Sequence, residues 1–325
     1  MCTAICDHGK YFLFGRTLDL EYSYGEQIVL TPRKFKLNFL HAPSNTNHSA
    51  ILGIGIIRDG YPLYYDAINE HGLAIAALNF PQSTLYRETA ENTLNLASFE
   101  IIPYLLSNCG SIASVKEVVE KINITRDCVS SNLPASPLHW LIADKSGALT
   151  LESTVNGVNV YENPFGVLTN EPPFPYHVAY ISNFLNLSST QPQNTIYPSA
   201  KIPICSNGIG AFGLPGDFSS ASRFVRAAFT KSHTAYEDGE DSYVSRFFHI
   251  MNTVSQPLGC TKTSDEKPIS SVYTSCGCPE TMTYYYSSYS CRRIRALKAE
   301  GSMLQSNKLL AIKIDSTEDI LYLSP

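Results

Sequence analysis

Apolar and polar positions alternate over short distances through the first eighty residues. Residues 11–14 and 27–30 are short β-type runs, and 51–57 is apolar with interleaved glycines. Residues 61–69 alternate aromatic and polar groups, and 72–78 is rich in small side chains. Gly, Pro and Asn turns bound these runs, which predicts strands. The period then changes. Residues 98–106 and 112–122 place apolar side chains three and four apart with Glu and Lys between them, which predicts two helices. A second strand block follows at 138–143 and 148–153, around the hairpin turn Asp144-Lys145-Ser146-Gly147, and 158–161 extends it. Helices are predicted at 222–231 and 242–254. From Val272 onward the chain is again strand-like, with runs at 281–286 and 309–314. Blocks of strands and helices in this order predict an α+β fold, antiparallel sheets covered by helices rather than a βαβ alternation.

Composition narrows the class. The 325 residues suggest about two domains and allow one large layered domain, and 44% apolar residues suffice for a sizeable core. Only 16% are charged and the net charge is −5. The one basic run, Cys291-Arg292-Arg293-Ile294-Arg295, reads as a solvated face, so nucleic acid is not an expected partner. No stretch approaches 18 apolar residues and residues 1–13 carry no basic and apolar leader pattern, so neither membrane insertion nor secretion is expected. Nine cysteines without a CxxC pattern suit reduced thiols in a cytoplasm, and the spacing of Cys276 and Cys278 is too short for a usual zinc knuckle. In that compartment the sequons at Asn47, Asn123 and Asn186 carry little meaning. The glycine-rich 208–216 contains Pro215 and follows no clear strand, which disfavours a dinucleotide site. No metal and no cofactor are expected.

The chemistry starts at Cys2. Removal of Met1 would put a thiol and a free α-amine on one residue. The amine has an unperturbed pKa of roughly 7.7–8.0, so it can take the thiol proton near neutral pH. The alternative is a buried, unreactive thiol. Arg16 and Asp19 follow the first predicted strand. A thiolate needs a cation and an N-terminal ammonium an anion, although the same two residues could form a surface salt bridge. Asn79 and Asn170 each end an apolar run just ahead of a proline. Such an asparagine can be a turn residue or can offer an N–H to an oxyanion. Arg223 and Arg226 open a helix, and spacing does not decide which one faces the site.

The segments Met1-Cys2-Thr3-Ala4-Ile5, Phe14-Gly15-Arg16-Thr17-Leu18-Asp19, Tyr61-Pro62-Leu63-Tyr64-Tyr65-Asp66-Ala67-Ile68-Asn69-Glu70, Leu78-Asn79-Phe80-Pro81, Pro137-Leu138-His139-Trp140, Gly166-Val167-Leu168-Thr169-Asn170 and Gly213-Leu214-Pro215-Gly216-Asp217 through Ser222-Arg223-Phe224 resemble the choloylglycine hydrolase family, which holds bile salt hydrolases and penicillin V acylases. The match is collinear over nearly the whole chain and weakest in 186–207 and the last thirty residues. It implies one N-terminal nucleophile hydrolase domain over 1–325, an αββα sandwich with two antiparallel sheets between helical layers and a mature chain starting at Cys2. It implies Cys2 as nucleophile, with Arg16 and Asp19 orienting and tuning it. Asn170 would donate to the oxyanion from its side chain, Asn79 through its backbone N–H, and Arg223 would stabilise the charged site. Ser222 and Arg226 would be neighbours, and Cys6 a strand thiol. The Asp7-His8-Gly9 loop is shorter and more polar than in many members.

Within the family, Asn79 favours the bile salt branch, since penicillin acylases commonly carry Tyr there. The expected reaction is cleavage of glycine- or taurine-conjugated bile salts. Penicillin V or N-acyl-homoserine-lactone acylase activity is the alternative with the same mechanism. A binding protein that kept only the fold would be expected to have lost part of the set. Position near Cys2 and similarity to the family's site loops nominate Leu18, Leu20, Tyr24, Tyr65 and Leu133 for the steroid pocket. The resemblance also implies a homotetramer; the composition and cysteine usage lead to the expectation of a bacterial cytoplasm, and a gut bacterium fits the substrate.

Overall fold

The computed structural model describes residues 1–324. The strands are β1 (Cys2–His8), β2 (Phe12–Leu20), β3 (Gln27–Thr31), β4 (Ile51–Arg58), β5 (Tyr61–Asn69), β6 (Ala74–Asn79), β7 (Leu94–Ala97), β8 (Ile122–Thr125), β9 (Leu138–Asp144), β10 (Gly147–Thr154), β11 (Gly157–Glu162), β12 (Val167–Leu168), β13 (Thr261–Lys262), β14 (Pro268–Cys278), β15 (Thr283–Ser288), β16 (Arg295–Lys298) and β17 (Leu310–Lys313). The helices are α1 (Ile101–Asn108), α2 (Ile112–Val119), α3 (Phe174–Ile181), α4 (Ser220–His233) and α5 (Glu240–Asn252).

Two antiparallel sheets carry the architecture. The first runs β12-β1-β2-β14-β15-β16 with β13 on β14, and the second β11-β10-β9-β6-β5-β4-β3-β17. One apolar cluster joins Phe14 and Leu18 of the first sheet to Ile54, Ile68 and Leu78 of the second, and continues to Phe224 and Phe247 on α4 and α5. A second cluster joins Ile75, Trp140 and Leu149 to Ile101, Leu105 and Val115 on α1 and α2. The layers are therefore helices, sheet, sheet, helices, with α4 and α5 over β1, β2 and β14, and α1 and α2 over β5, β6, β9 and β10.

The differences from the sequence reading have local causes. β1 pairs with β2 along its whole length, from Cys2 opposite Leu18 to His8 opposite Phe12. Residues 2–7 are all buried, and a strand covered on both faces shows no alternation. The helix predicted over 112–122 stops at Val119, because Ile122-Asn123-Ile124-Thr125 pairs with β7 as a parallel strand; β-branched side chains favour that state. α3 was not predicted: its aromatic sequence FPYHVAYI follows two prolines and reads as turn and strand. Gly15 is required by close approach, since a Cβ there would lie 2.0 Å from the Ser275 carbonyl oxygen on β14. Among the described residues no helix is long and apolar enough to cross a membrane.

Candidate active site

Strand alternation sorts the site residues into two sets. Arg16, Leu18 and Leu20 occupy alternate positions of β2 and line a cavity with Cys2 and Asn79. Its volume is about 360 Å³, within the roughly 300–1,000 Å³ of small-molecule sites. Tyr24, Tyr65 and Leu133 line the same cavity, so all five residues nominated for the pocket are brought together beside Cys2. Thr17 and Asp19 have the opposite parity and are buried. A larger cavity of about 530 Å³ is lined by α5 and β14 residues, with Ser271 and Thr274 in its wall and without Cys2.

Cys2 is 2% exposed. Its backbone N–H donates to Asn170 Oδ1 at 2.8 Å, and its carbonyl accepts from Arg223 Nη1 at 2.5 Å. Arg223 also donates to Thr3 Oγ1 and to Asn170 Oδ1, each at 2.7 Å, and through Nε to the Phe218 carbonyl at 2.9 Å. Burial pushes its pKa down, against Asp19 and Cys2, which favour the charge. α4 reaches this position because Ser219 caps it, accepting the Ser222 N–H. Arg226 points elsewhere, to the carbonyls of Thr253, Pro215 and Asp217, and Ser222 Oγ bonds Asp217.

Asp19 accepts from Ser271 Oγ at 2.6 Å and Thr17 Oγ1 at 3.1 Å. Its main-chain carbonyl, rather than its carboxylate, takes the Met1 ammonium at 2.7 Å. Burial raises the Asp19 pKa, while Arg223, the N-terminus, Ser271 and Thr17 pull the other way. Arg16 is fully buried and donates to the carbonyls of Thr17, Tyr65 and Ala77. Burial opposes its charge, yet Cys2, Tyr273, Asp66 and Asp19 outweigh it and raise its pKa. Asp66 accepts from Tyr273, Ser275 and Tyr284 hydroxyls in the interior.

The two asparagines meet. Asn170 Nδ2 donates to the Asn79 carbonyl at 2.8 Å. The Phe80 N–H donates to the Pro137 carbonyl at 2.8 Å, so alternation turns the Asn79 N–H to the other edge of β6. There β5 pairs only as far as Asp66 opposite Ala76. Glu171 ties the two segments together, accepting from the N–H groups of Gln82 and Ser83 and from Ser83 Oγ. The sequence reading passed over Ser271, Asp66 and Glu171. Nothing marked Ser271, while Asp66 stood inside the Tyr61–Glu70 segment and Glu171 directly after Asn170.

The family model described as linear amide C–N hydrolases, choloylglycine hydrolase family, matches residues 2–322. The chain belongs to that family. A bile salt hydrolase/transferase of Lactiplantibacillus plantarum is 40% identical, over 97% of this chain and 98% of that protein. One from Clostridium perfringens is 36% identical over the full length of both. The solved structure of a C2A mutant of conjugated bile acid hydrolase from Clostridium perfringens superposes with a TM-score of 0.90 at 35% identity, covering all of both chains. The chain is thus a hydrolase of linear amide bonds with the αββα architecture of the N-terminal nucleophile hydrolases.

Proposed function

We propose that this chain hydrolyses the amide bond of glycine- or taurine-conjugated bile salts, with Cys2 as an N-terminal nucleophile after removal of Met1. The observation that carries the reading is the placement of Cys2: it lines an apolar-walled cavity while its nitrogen is bonded to Asn170 Oδ1. Relatives named for bile salts, at 36–40% identity over the whole length, support the substrate class.

The α-amine freed at Cys2 accepts the thiol proton, and the thiolate attacks the amide carbonyl. The guanidinium of Arg16, lining the same cavity, favours the thiolate. The resulting oxyanion takes the backbone N–H of Asn79 and an N–H of Asn170 Nδ2, an amide with two hydrogens of which the Asn79 carbonyl uses one. A donor of this kind is worth about 3 kcal/mol. The ammonium of Cys2 then protonates the leaving nitrogen, glycine or taurine departs, and water activated by the same amine hydrolyses the thioester. Leu18, Leu20, Tyr24, Tyr65 and Leu133 hold the steroid.

The test is amino acid release from glycocholate and taurocholate, with penicillin V in parallel, by wild type and Cys2→Ala. Release from both bile salts that disappears in Cys2→Ala is expected. Turnover of penicillin V alone moves the chain to the acylase reading, and activity in protein whose intact mass retains Met1 sinks the N-terminal mechanism.

We also propose a cytoplasmic homotetramer, supported by nine unpaired cysteines and by exposed apolar side chains at Ile196, Tyr197, Ile202, Ile204 and Phe212. A neighbouring copy covers these in the assembly. Light scattering should read about four times the 35.9 kDa chain; a monomer mass rejects this.

A further inference from the structure

The main chain around Asn170 is held from behind by two buried histidines. His139, on β9, points Nε2 at the Thr169 carbonyl at 3.0 Å. His177, on α3, points Nε2 at the Asn170 carbonyl at 3.0 Å. Each is wholly shielded from solvent. A carbonyl oxygen only accepts, so both Nε2 atoms carry hydrogen. Burial pushes the His177 pKa down to about 4, so near neutral pH its single proton sits on the nitrogen facing Asn170.

Glu152 links His139 to the first residue of the helix that carries His177. Its Oε1 lies 3.2 Å from His139 Nδ1 and accepts the Phe174 N–H, the first residue of α3, at 3.0 Å. The Phe80 ring, next to Asn79, stacks on His139 with centroids 4.3 Å apart and planes 5° from parallel. The Asn170 N–H is held by Ser220 Oγ at 2.8 Å. The backbone carbonyl and N–H of Asn170 thus both have fixed partners, and none of the histidine atoms lines the cavity.

We propose that His139 and His177 are positioning residues: they fix the carbonyls of Thr169 and Asn170 and so aim the Asn170 side-chain amide at the developing oxyanion. The inference rests on the oxyanion role proposed for Asn170. Oxyanion donors act only when preorganised, and a misplacement of about 1 Å can cost 100-fold in rate.

The experiment compares His177→Leu with His177→Gln, whose amide nitrogen can reach the same carbonyl, and reads kcat, KM and the rate of Cys2 alkylation by iodoacetamide. His177→Leu should lower kcat by about 10- to 100-fold with KM within about twofold, because the pocket is untouched, and should slow alkylation less than it lowers kcat, since Asn170 Oδ1 also holds the Cys2 nitrogen. His177→Gln should recover most of the lost kcat, and His139→Gln should stand close to it. A folded His177→Leu with kcat within twofold of wild type overturns the proposal, as does equal loss in Leu and Gln variants accompanied by alkylation slowed as much as kcat. Where the Leu variant does not fold, His177→Asn, one methylene short, replaces it, and equal kcat for Asn and Gln overturns the proposal. Kinetics use whichever amide wild type cleaves with Cys2 dependence. Cleavage of penicillin V alone rejects the bile salt reading and leaves this comparison valid; Cys2-independent cleavage of both rejects the two together.

Discussion

Arg223 has no carboxylate as a hydrogen-bond partner in its four bonds; it grips the carbonyls of Cys2 and Phe218, the Thr3 hydroxyl and the amide oxygen of Asn170. The geometry depends on a planar fork, because Nη1 serves Cys2 and Thr3 while Nη2 serves Asn170. A lysine keeps the charge and loses the fork. Arg223→Lys should therefore lower kcat by roughly 10- to 100-fold, the equivalent of about 1.5–3 kcal/mol for one charged hydrogen bond. Steady-state kinetics on glycocholate check this, and a kcat within twofold of wild type would refute it. Spacing could not choose between Arg223 and Arg226, since residues three apart share a helix face; the family resemblance made the choice. Asn79 and Asn170 were legible as strand-end asparagines, but their mutual hydrogen bond spans 91 positions of sequence and no local pattern encodes it. His139 lay within a quoted family segment and still carried no local mark of its partner at Thr169.

Strands were legible where turn residues bound them, whether or not both faces are covered: β5 is mostly buried and matches its predicted 61–69 run. β10 and β11 fall close to their predicted runs because their hairpin has an exposed turn, whereas β1, the strand that begins with Cys2, is buried from residue 2 to 7 and shows no period. The nucleophile's strand therefore carried no periodic signal in the sequence. The order of strands within each sheet was equally hidden. β2 pairs with β14 across some 250 residues, and Gly15 permits that approach by lacking a Cβ beside the Ser275 carbonyl. Gly166 acts similarly before Asn170: with φ +56°, it would place a Cβ 2.5 Å from Cys6 Sγ. α3 was missed because its aromatic face packs toward Phe224 of α4 rather than alternating with charged positions. That same packing buries His177, so the helix hardest to read carries a residue that holds Asn170.

For the whole molecule, a buried neutral histidine makes stability depend on pH. His177 has a folded pKa of about 4, below its ordinary value of 6.5, because burial disfavours the imidazolium. Between those values the unfolded chain binds a proton that the folded chain does not, so folding stability rises with pH across the window. The contribution is fully present above about pH 6.5 and is lost as pH falls toward 4. Its size is on the order of 3 kcal/mol over the whole window, at 1.36 kcal/mol per unit. Buried carboxylates act in the opposite sense: burial raises the pKa of Asp66 and of Asp19, so each favours the folded state at low pH and that contribution fades as pH climbs through its folded value. The raw slope mixes these terms, and a comparison with His177→Gln isolates one of them. Urea midpoints measured from pH 4.5 to 7 should fall more steeply on acidification for wild type than for His177→Gln. Parallel curves would mean that His177 titrates normally in the folded protein, which its burial against Phe224 argues against.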